Sequence, residues 1–435
     1  MKKFSFKGGI HIHGSAAKKA LTTNSQIIIP KDPEYLYLPL NQQLGKPSVP
    51  VVEVGDQVKA GQLLAIKDGG FSANIHSPIS GVIEHIDFFI NEPTGQLSKS
   101  IVIKNDFSNQ EVEYISRSTE DAMKLTAKNI VDIMEESGLV GLGGATFPTP
   151  IKYLGDKKCS AVILNGIECE PYNTADYAIM KNHCKEVIRG LKYMLIASGA
   201  PKGYICIEDN KMDVYETFRQ TLSGDTDIQV ALFKEKYPQG AEKQLVSALL
   251  NQEVTYGGLP IDIGVIVNNV GTAKALCDAV ELGKPLTHHY LTITGNVKSP
   301  SNYYVPIGIL FKDLIDDEDF DKNNVLLAGG LMMGKTMYTE MTPVTKGINA
   351  IILLEDLPKV GPELQCVRCS SCIDNCPAFL SPTNLAQLVK NNKYDTLNEY
   401  GIVACIECGT CSYVCPSHIP LLDYIRHGKL ELRRR

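Results

Sequence analysis

Cys366–Pro377 reads CVRCSSCIDNCP, and Cys405–Pro416 reads CIECGTCSYVCP. Both halves follow one spacing: Cys, two residues, Cys, two residues, Cys, three residues, Cys, Pro. A 4Fe–4S cluster needs four soft, anionic sulfurs around one cube, and a short loop of this spacing supplies three of them. The fourth Cys of each run reaches across to the other cluster. Cys366, Cys369, Cys372 and Cys415 are therefore assigned to one cluster, and Cys405, Cys408, Cys411 and Cys376 to the other. Paired zinc knuckles do not need four evenly placed Cys followed by Pro, twice over. A disulfide framework suits a small secreted domain, which this chain does not resemble. The tail is expected to carry single electrons.

Working outward, the 435 residues are enough for about two to four domains. A hydrophobic fraction of 44% with 21% charged residues excludes a disordered chain and supports proper cores. The net charge of −6 is mild, and no basic patch points to nucleic acid. The remaining Cys (159, 169, 184, 206 and 277) lack ligand spacing and read as buried thiols. Free thiols beside Fe–S ligands point to a reducing cytoplasm. MKKFSFKGGIHIHG lacks the apolar stretch of a signal peptide. No apolar run approaches the ~18 residues of a spanning helix, so membrane association is expected only through partners.

Four domains are expected, in a multidomain α/β chain: 1–112, 113–284, 285–354 and 355–435. The opening carries Gly8, Gly9, His11 and His13; the His-x-His pair has no third ligand nearby and reads as a solvated arm. From 35 to 105, short β-branched runs broken by Gly-Asp and Ser-Pro predict a small barrel or sandwich. VGDQVKAGQLLA with SPISGVI resembles the biotinyl/lipoyl carrier fold. That likeness implies a lysine at the hairpin tip, where this chain has Gly69, Gly70 and Phe71 instead. No swinging arm is expected. Met123, Ala127, Ile130, Val131 and Met134 then mark one amphipathic helix, capped at Ser118 and closed by Gly138. AVILN, GYICIED, DIQVALF and DIGVIVNN alternate with helical segments near 174–197, 211–222 and 240–250, the pattern of an α/β layer. A smaller strand-rich unit spans about 285–353, and EDLPKVGPEL links it to the tail.

Gly138–Tyr153 reads GLVGLGGATFPTPIKY, with four glycines in its first seven residues. Such a loop turns tightly, exposes amide donors and can cradle a phosphate, with Lys152 adding charge. The Rossmann fingerprint is excluded, because Gly141, Gly143 and Gly144 are spaced differently and a helix precedes them. A purely structural turn remains the alternative. Asn165 ends a buried strand, and Glu168 and Glu170 follow at the edge where α/β sheets hold ligands. A solvated acidic loop would look the same.

GLVGLGGATFPTPIKY, NGIECEP, YPQGAEKQLVSALL and VNNVGTAKAL resemble, in this order, the flavin and NADH blocks of the NADH-binding flavoprotein subunit of respiratory complex I. TITGNVKSP resembles its β-grasp unit. Three polar positions of that family are here Val140 or Leu142, Ile167 and Ala241, which leaves fewer polar anchors for a flavin. The whole order resembles the RnfC/RsxC family, the C component of the Rnf ion-translocating ferredoxin:NAD oxidoreductase: N-terminal β barrel-sandwich, α/β flavin/NADH domain, β-grasp unit and C-terminal two-cluster ferredoxin-like α domain. The likeness implies FMN contacts at Gly141, Gly143, Gly144, Lys152, Asn165, Glu168, Gly240, Asn268, Asn269 and Thr272. It implies that Glu170 and Glu242 face the dinucleotide, that Phe147 stacks on it, and that Tyr237 closes the pocket. No side-chain acid or base is required. FMN, NAD(H) and two 4Fe–4S clusters are the implied cofactors. The implied partners are the other Rnf subunits (membrane subunits and the ferredoxin-like electron-entry subunit), at the cytoplasmic face of the membrane. Two rival readings are a corrin reductase of the propanediol-utilisation type and a flavin-free, electron-carrying docking subunit. The basic end, HGKLELRRR, reads as a frayed tail or a contact with partners or lipid headgroups.

Overall fold

The computed structural model describes residues 2–12, 14–91, 97–155, 157–316, 324–355 and 361–435. His13 and positions 356–360 of the linker lie outside the described residues. The central layer is a four-stranded parallel sheet in the order Ile228–Phe233, Gly203–Glu208, Ala161–Gly166, Val265–Asn269. These strands are near-continuous apolar runs because helices cover both faces; Val162, Ile163, Leu164, Ile205 and Ile207 are fully buried. Cys184–Ser198 and Val270–Leu282 pack closely against each other beside this sheet.

The single helix expected after Ser118 is two, Thr119–Ala122 and Ala127–Glu136. Ser118 caps the first by accepting from Asp121 N. Thr126 starts the second with a reciprocal capping box: its hydroxyl accepts from Asn129 N, and Asn129 Oδ1 accepts from Thr126 N. Gly138, at φ 66°, ends it as expected.

Before this layer lie two small sheets, Tyr35–Pro39, Leu97–Asn105, Gly81–Asn91, Gln57–Val58 and Val49–Pro50, Leu63–Ile66, Ile75–His76. Leu36, Leu38, Leu64, Ile83, Ile101 and Ile103 close over one another between them. Behind it lies a mixed six-stranded sheet: Ile27–Ile28, Ser301–Pro306, His288–Gly295, Ala350–Leu354, Val325–Ala328, Lys335–Met337. Its first strand comes from the N-terminal arm and runs parallel to Ser301–Pro306, with Ile27 beside Asn302.

The arm is thus no solvated tail. Phe4 bridges to Phe233 and Ile10 to Tyr237. Among its anchors are single apolar residues, Phe4 packing 5.4 Å from the Phe233 ring and Ile10 buried with Tyr237. Isolated anchors of this kind leave no periodic signal.

Lys346 ties three units together. It is 1% exposed, and its Nζ donates to Asn74 O (2.7 Å) and Gly138 O (2.9 Å). Burial lowers its pKa from 10.5 to about 7. Between those values the unfolded chain binds more protons than the folded one, so this group's contribution makes stability rise with pH across that window. Urea midpoints are expected to climb more steeply there for wild type than for Lys346→Met. Parallel profiles would show that the ammonium stays charged in place. No helix among the described residues is long and apolar enough to cross a membrane.

Candidate functional site

The C-terminal ends of Ala161–Gly166 and Val265–Asn269 deliver Asn165, Asn268 and Asn269 to one edge of the parallel sheet. The glycine loop is folded over that edge. Gly141 N donates to Phe147 O, Thr146 N to Gly141 O and Leu142 N to Thr272 Oγ1, which sits in the helix after Asn269. The amides of Gly143, Gly144 and Ala145 have no protein acceptor among the described residues. Gly144 adopts φ 102°, and a Cβ placed there would meet nothing within 4 Å. The loop therefore presents free donors beside open space, as a phosphate cradle requires.

Lys152 reaches the same edge from the short 3-10 helix Thr149–Tyr153. Its Nζ donates to Val267 O at 2.5 Å, stands 4.0 Å from Glu242 Oε1 and lies 5.8 Å from the centre of the Phe147 ring. Burial depresses its pKa, and Glu242 only partly offsets this. Asn268 is 3% exposed; Nδ2 donates to the Tyr153 hydroxyl (2.7 Å), while Oδ1 is buried without a partner among the described residues. A half-buried lysine whose nearest carboxylate, Glu242, stands at 4.0 Å calls for an anion, and an orphaned amide oxygen calls for a donor. Those demands fit FMN, which offers a phosphate and a ring N–H.

Asn165 donates to Gly240 O (2.8 Å), so the loop from Tyr237 to Glu242 is tied to the sheet edge. That loop spans two places. At one end Gly240 and Glu242 meet Asn165 and Lys152; at the other, the buried Tyr237 hydroxyl donates to Cys408 O at 2.8 Å. Tyr237 thus faces the cysteine-rich tail.

The acidic pair is placed differently from the polar cluster around Lys152. Glu168 accepts from Asp176 N and Tyr177 N, capping the helix Ala175–Asn182. Glu170 Oε2 accepts from Met332 N (2.8 Å), and burial pushes its pKa up to about 7. Lys19 of the arm holds this loop by donating to the carbonyls of Glu168, Glu170 and Asn173 at 2.7–2.8 Å. Asn269 donates to Asp176 (2.8 Å), whose pKa burial and the neighbouring Glu168 raise to about 7. Lys19, Asp176 and the buried pair Lys211–Glu208 (3.0 Å) were not singled out in the sequence. The one available signal was Glu208, a carboxylate ending an otherwise apolar strand.

The tail brings its cysteines together across the two halves. The Cys411 thiol is pushed up to about 12 by burial and then by Cys408, Cys405 and Cys376 around it. Cys372 is raised by burial, with Cys415 and Cys366 contributing. Cys376 thus lies near the second run and Cys415 near Cys372 of the first. No group of ligating side chains among the described residues converges on a single ion. The sets differ in exposure. Cys366 and Cys369 are exposed, whereas Cys376, Cys408 and Cys411 are buried. Leu380 N and Glu407 N donate to the sulfurs of Cys376 and Cys405 at 3.4 Å, bonds that would stabilise thiolates.

Comparison with known proteins matches residues 4–108 to the RnfC barrel sandwich hybrid domain, 134–278 to the Nuo51 FMN-binding domain and 362–419 to a 4Fe-4S dicluster domain. The C component of the proton-translocating ferredoxin:NAD(+) oxidoreductase complex of Clostridium ljungdahlii is 40% identical, over 99% of this chain and 94% of that one. Its Na(+)-translocating counterpart in Acetobacterium woodii is 36% identical over 91% and 89%. Among solved structures, an NAD+-reducing [NiFe]-hydrogenase in the H2-reduced state aligns over 73% of this chain and 63% of that one, at 15% identity and TM-score 0.48. With near full-length identity to the two ferredoxin:NAD(+) oxidoreductase components and a matching barrel sandwich domain, the chain belongs to the RnfC family of the Rnf complexes.

Proposed function

We propose that this chain is the NAD(H)-handling electron-transfer subunit of an ion-translocating ferredoxin:NAD oxidoreductase. It sits peripherally on the cytoplasmic face of the membrane, bound to the membrane subunits and to the ferredoxin-like electron-entry subunit. The observation that carries this reading is the loop Tyr237–Glu242, which touches Lys152 at one end and the carbonyl of Cys408 at the other. A candidate phosphate cradle and a cluster site joined by one short loop are what a two-electron to one-electron converter needs. Bound FMN supplies that conversion, exchanging hydride with NAD(H) and single electrons with Fe–S centres.

Gly141, Gly143 and Gly144 would hold the phosphate through backbone amides, with Lys152 supplying the countercharge. Asn165, Gly240, Asn268, Asn269 and Thr272 would shape and orient the ring site, and Phe147 would flank the dinucleotide beside Glu242. Glu168 and Glu170 would act from one layer behind, by fixing the loop that borders the cleft. The buried thiol set, nearest Tyr237, would be the inner cluster. The set with exposed Cys366 and Cys369 would meet the partner. The six-stranded unit is read as the β-grasp domain, within boundaries 1–112, 113–284, 285–354 and 355–435.

The test is anaerobic reconstitution with iron, sulfide and FMN, then NADH titration followed by absorbance and EPR. Flavin bleaching together with reduced-cluster signals is expected. Full iron loading with no flavin retained and no response to NADH would replace this reading with a flavin-free docking carrier.

A further inference from the structure

The segment FKGGIHIHG at 6–14 has no part in the chemistry above. Gly8 and Gly9 both adopt left-handed backbone, φ 86° and 73°. A side chain at either position would be obstructed as well as strained. A Cβ on Gly8 would lie 2.8 Å from Cys376 O and 3.3 Å from Pro377 Cα; one on Gly9 would lie 2.5 Å from Tyr237 O. At Gly8 these obstacles are backbone atoms, which cannot swing aside; at Gly9 the Phe6 ring also stands 2.5 Å away.

The arm is bonded to both of its neighbours here. Gly9 N donates to Asn375 O (2.9 Å), in the loop that carries Cys376. Ile10 and Tyr237 exchange both of their backbone bonds at 2.8 Å. Beside this seam Gln244 Nε2 donates to Pro377 O (3.1 Å) and the Tyr237 hydroxyl to Cys408 O (2.8 Å). Two members of the buried thiol set, Cys376 and Cys408, are therefore gripped from the flavin-domain side. The arm is the layer between the Cys376 loop and the loop that leads to the cleft.

We propose that Gly8 and Gly9 form a positioning wedge, whose missing side chains set how closely the inner cluster's loop seats on the flavin domain. The proposal rests on the two-cluster reading of the tail. A thicker wedge lengthens the gap that electrons cross and shifts the carbonyl environment of two ligands, without touching a ligand sulfur. Its effect is confined to the inner cluster.

The test is Gly8→Ala in the full chain, reconstituted anaerobically with iron, sulfide and FMN. Gly14→Ala is the control: it has the same left-handed backbone, φ 57°, in the same arm, with nothing within 4 Å of its Cβ position. Expected for Gly8→Ala are full iron loading, an unchanged EPR signal from the exposed cluster, and a shifted signal and potential for the inner one. Reduction of the clusters by NADH in a single turnover is expected to slow. Gly14→Ala should match wild type. Identical spectra, potentials and rates for Gly8→Ala and Gly14→Ala would overturn the wedge. Should Gly8→Ala take up too little iron, Gly9→Ala carries the same test, since its side chain presses on Tyr237 O and the Phe6 ring instead of the ligand loop. A wild type that NADH does not reduce would overturn the functional reading alone. The wedge would then be decided by the spectra and potentials of the dithionite-reduced protein.

Discussion

Lys152→Met weakens FMN binding by about 10- to 100-fold, the range for losing one charge-assisted hydrogen bond of ~1.5–3 kcal/mol. Methionine keeps most of the apolar stem, so the packing against Phe147 survives while the charge goes. Lys152 has no close carboxylate of its own: Glu242 stands 4.0 Å away, and Val267 O accepts only one of its three protons. Burial already disfavours the ammonium. An incoming phosphate would relieve that cost, which is why the variant should suffer in affinity more than in fold. Fluorescence titration of FMN into the iron-loaded protein measures it. An unchanged dissociation constant would place the phosphate elsewhere.

Cys411→Ser removes the inner cluster and with it the response of the outer one to NADH. Iron falls from about eight towards about four per chain, since each cluster holds four irons. Cys411 sits amid Cys408, Cys405 and Cys376 and is buried, so a serine there leaves a hole in the ligand set that water does not easily fill. Cys369→Ser, at an exposed position, should produce the same iron loss with the opposite consequence: the remaining cluster is still reduced by NADH. Iron analysis and EPR of both variants after NADH addition decide the order. Equal loss of NADH-dependent signal in the two would refute an inner and an outer cluster in series.

The tail was legible because ligand spacing is a local property of the chain. The exchange of Cys376 and Cys415 between halves comes from the two-cluster ferredoxin pattern, and in the structure Cys376 lies near Cys405 and Cys415 near Cys372. The parallel sheet was legible for a similar reason, since strands buried on both faces must be apolar throughout. The helix break was misjudged because Thr126 and Asn129 cap each other from positions that also fit an uninterrupted amphipathic stripe. The arm was misjudged because its partners lie hundreds of residues away, and a Gly-Gly pair reads equally as slack or as close approach. Lys19, Lys211 and Lys346 could not be found at all. A buried lysine is recognised by the carbonyls and carboxylates around it, and these come from distant segments. At the site, Glu168 and Glu170 follow the strand that ends at the sheet edge, and which way each carboxylate turns depends on Asp176 and Met332.

The arm also governs the order in which this protein can be finished. Ile27 and Ile28 find their sheet partner only once residues 302–303 exist, and Gly9 meets Asn375 only when nearly the whole chain has left the ribosome. At ~5–20 residues per second, the N-terminus waits roughly 20–70 s for that partner. The flavin layer can fold in the meantime, but the seam over Cys376 closes last. A chain truncated before residue 375 would still pair Phe4 and Ile10 with 232–237, but Gly9 would lack its Asn375 acceptor.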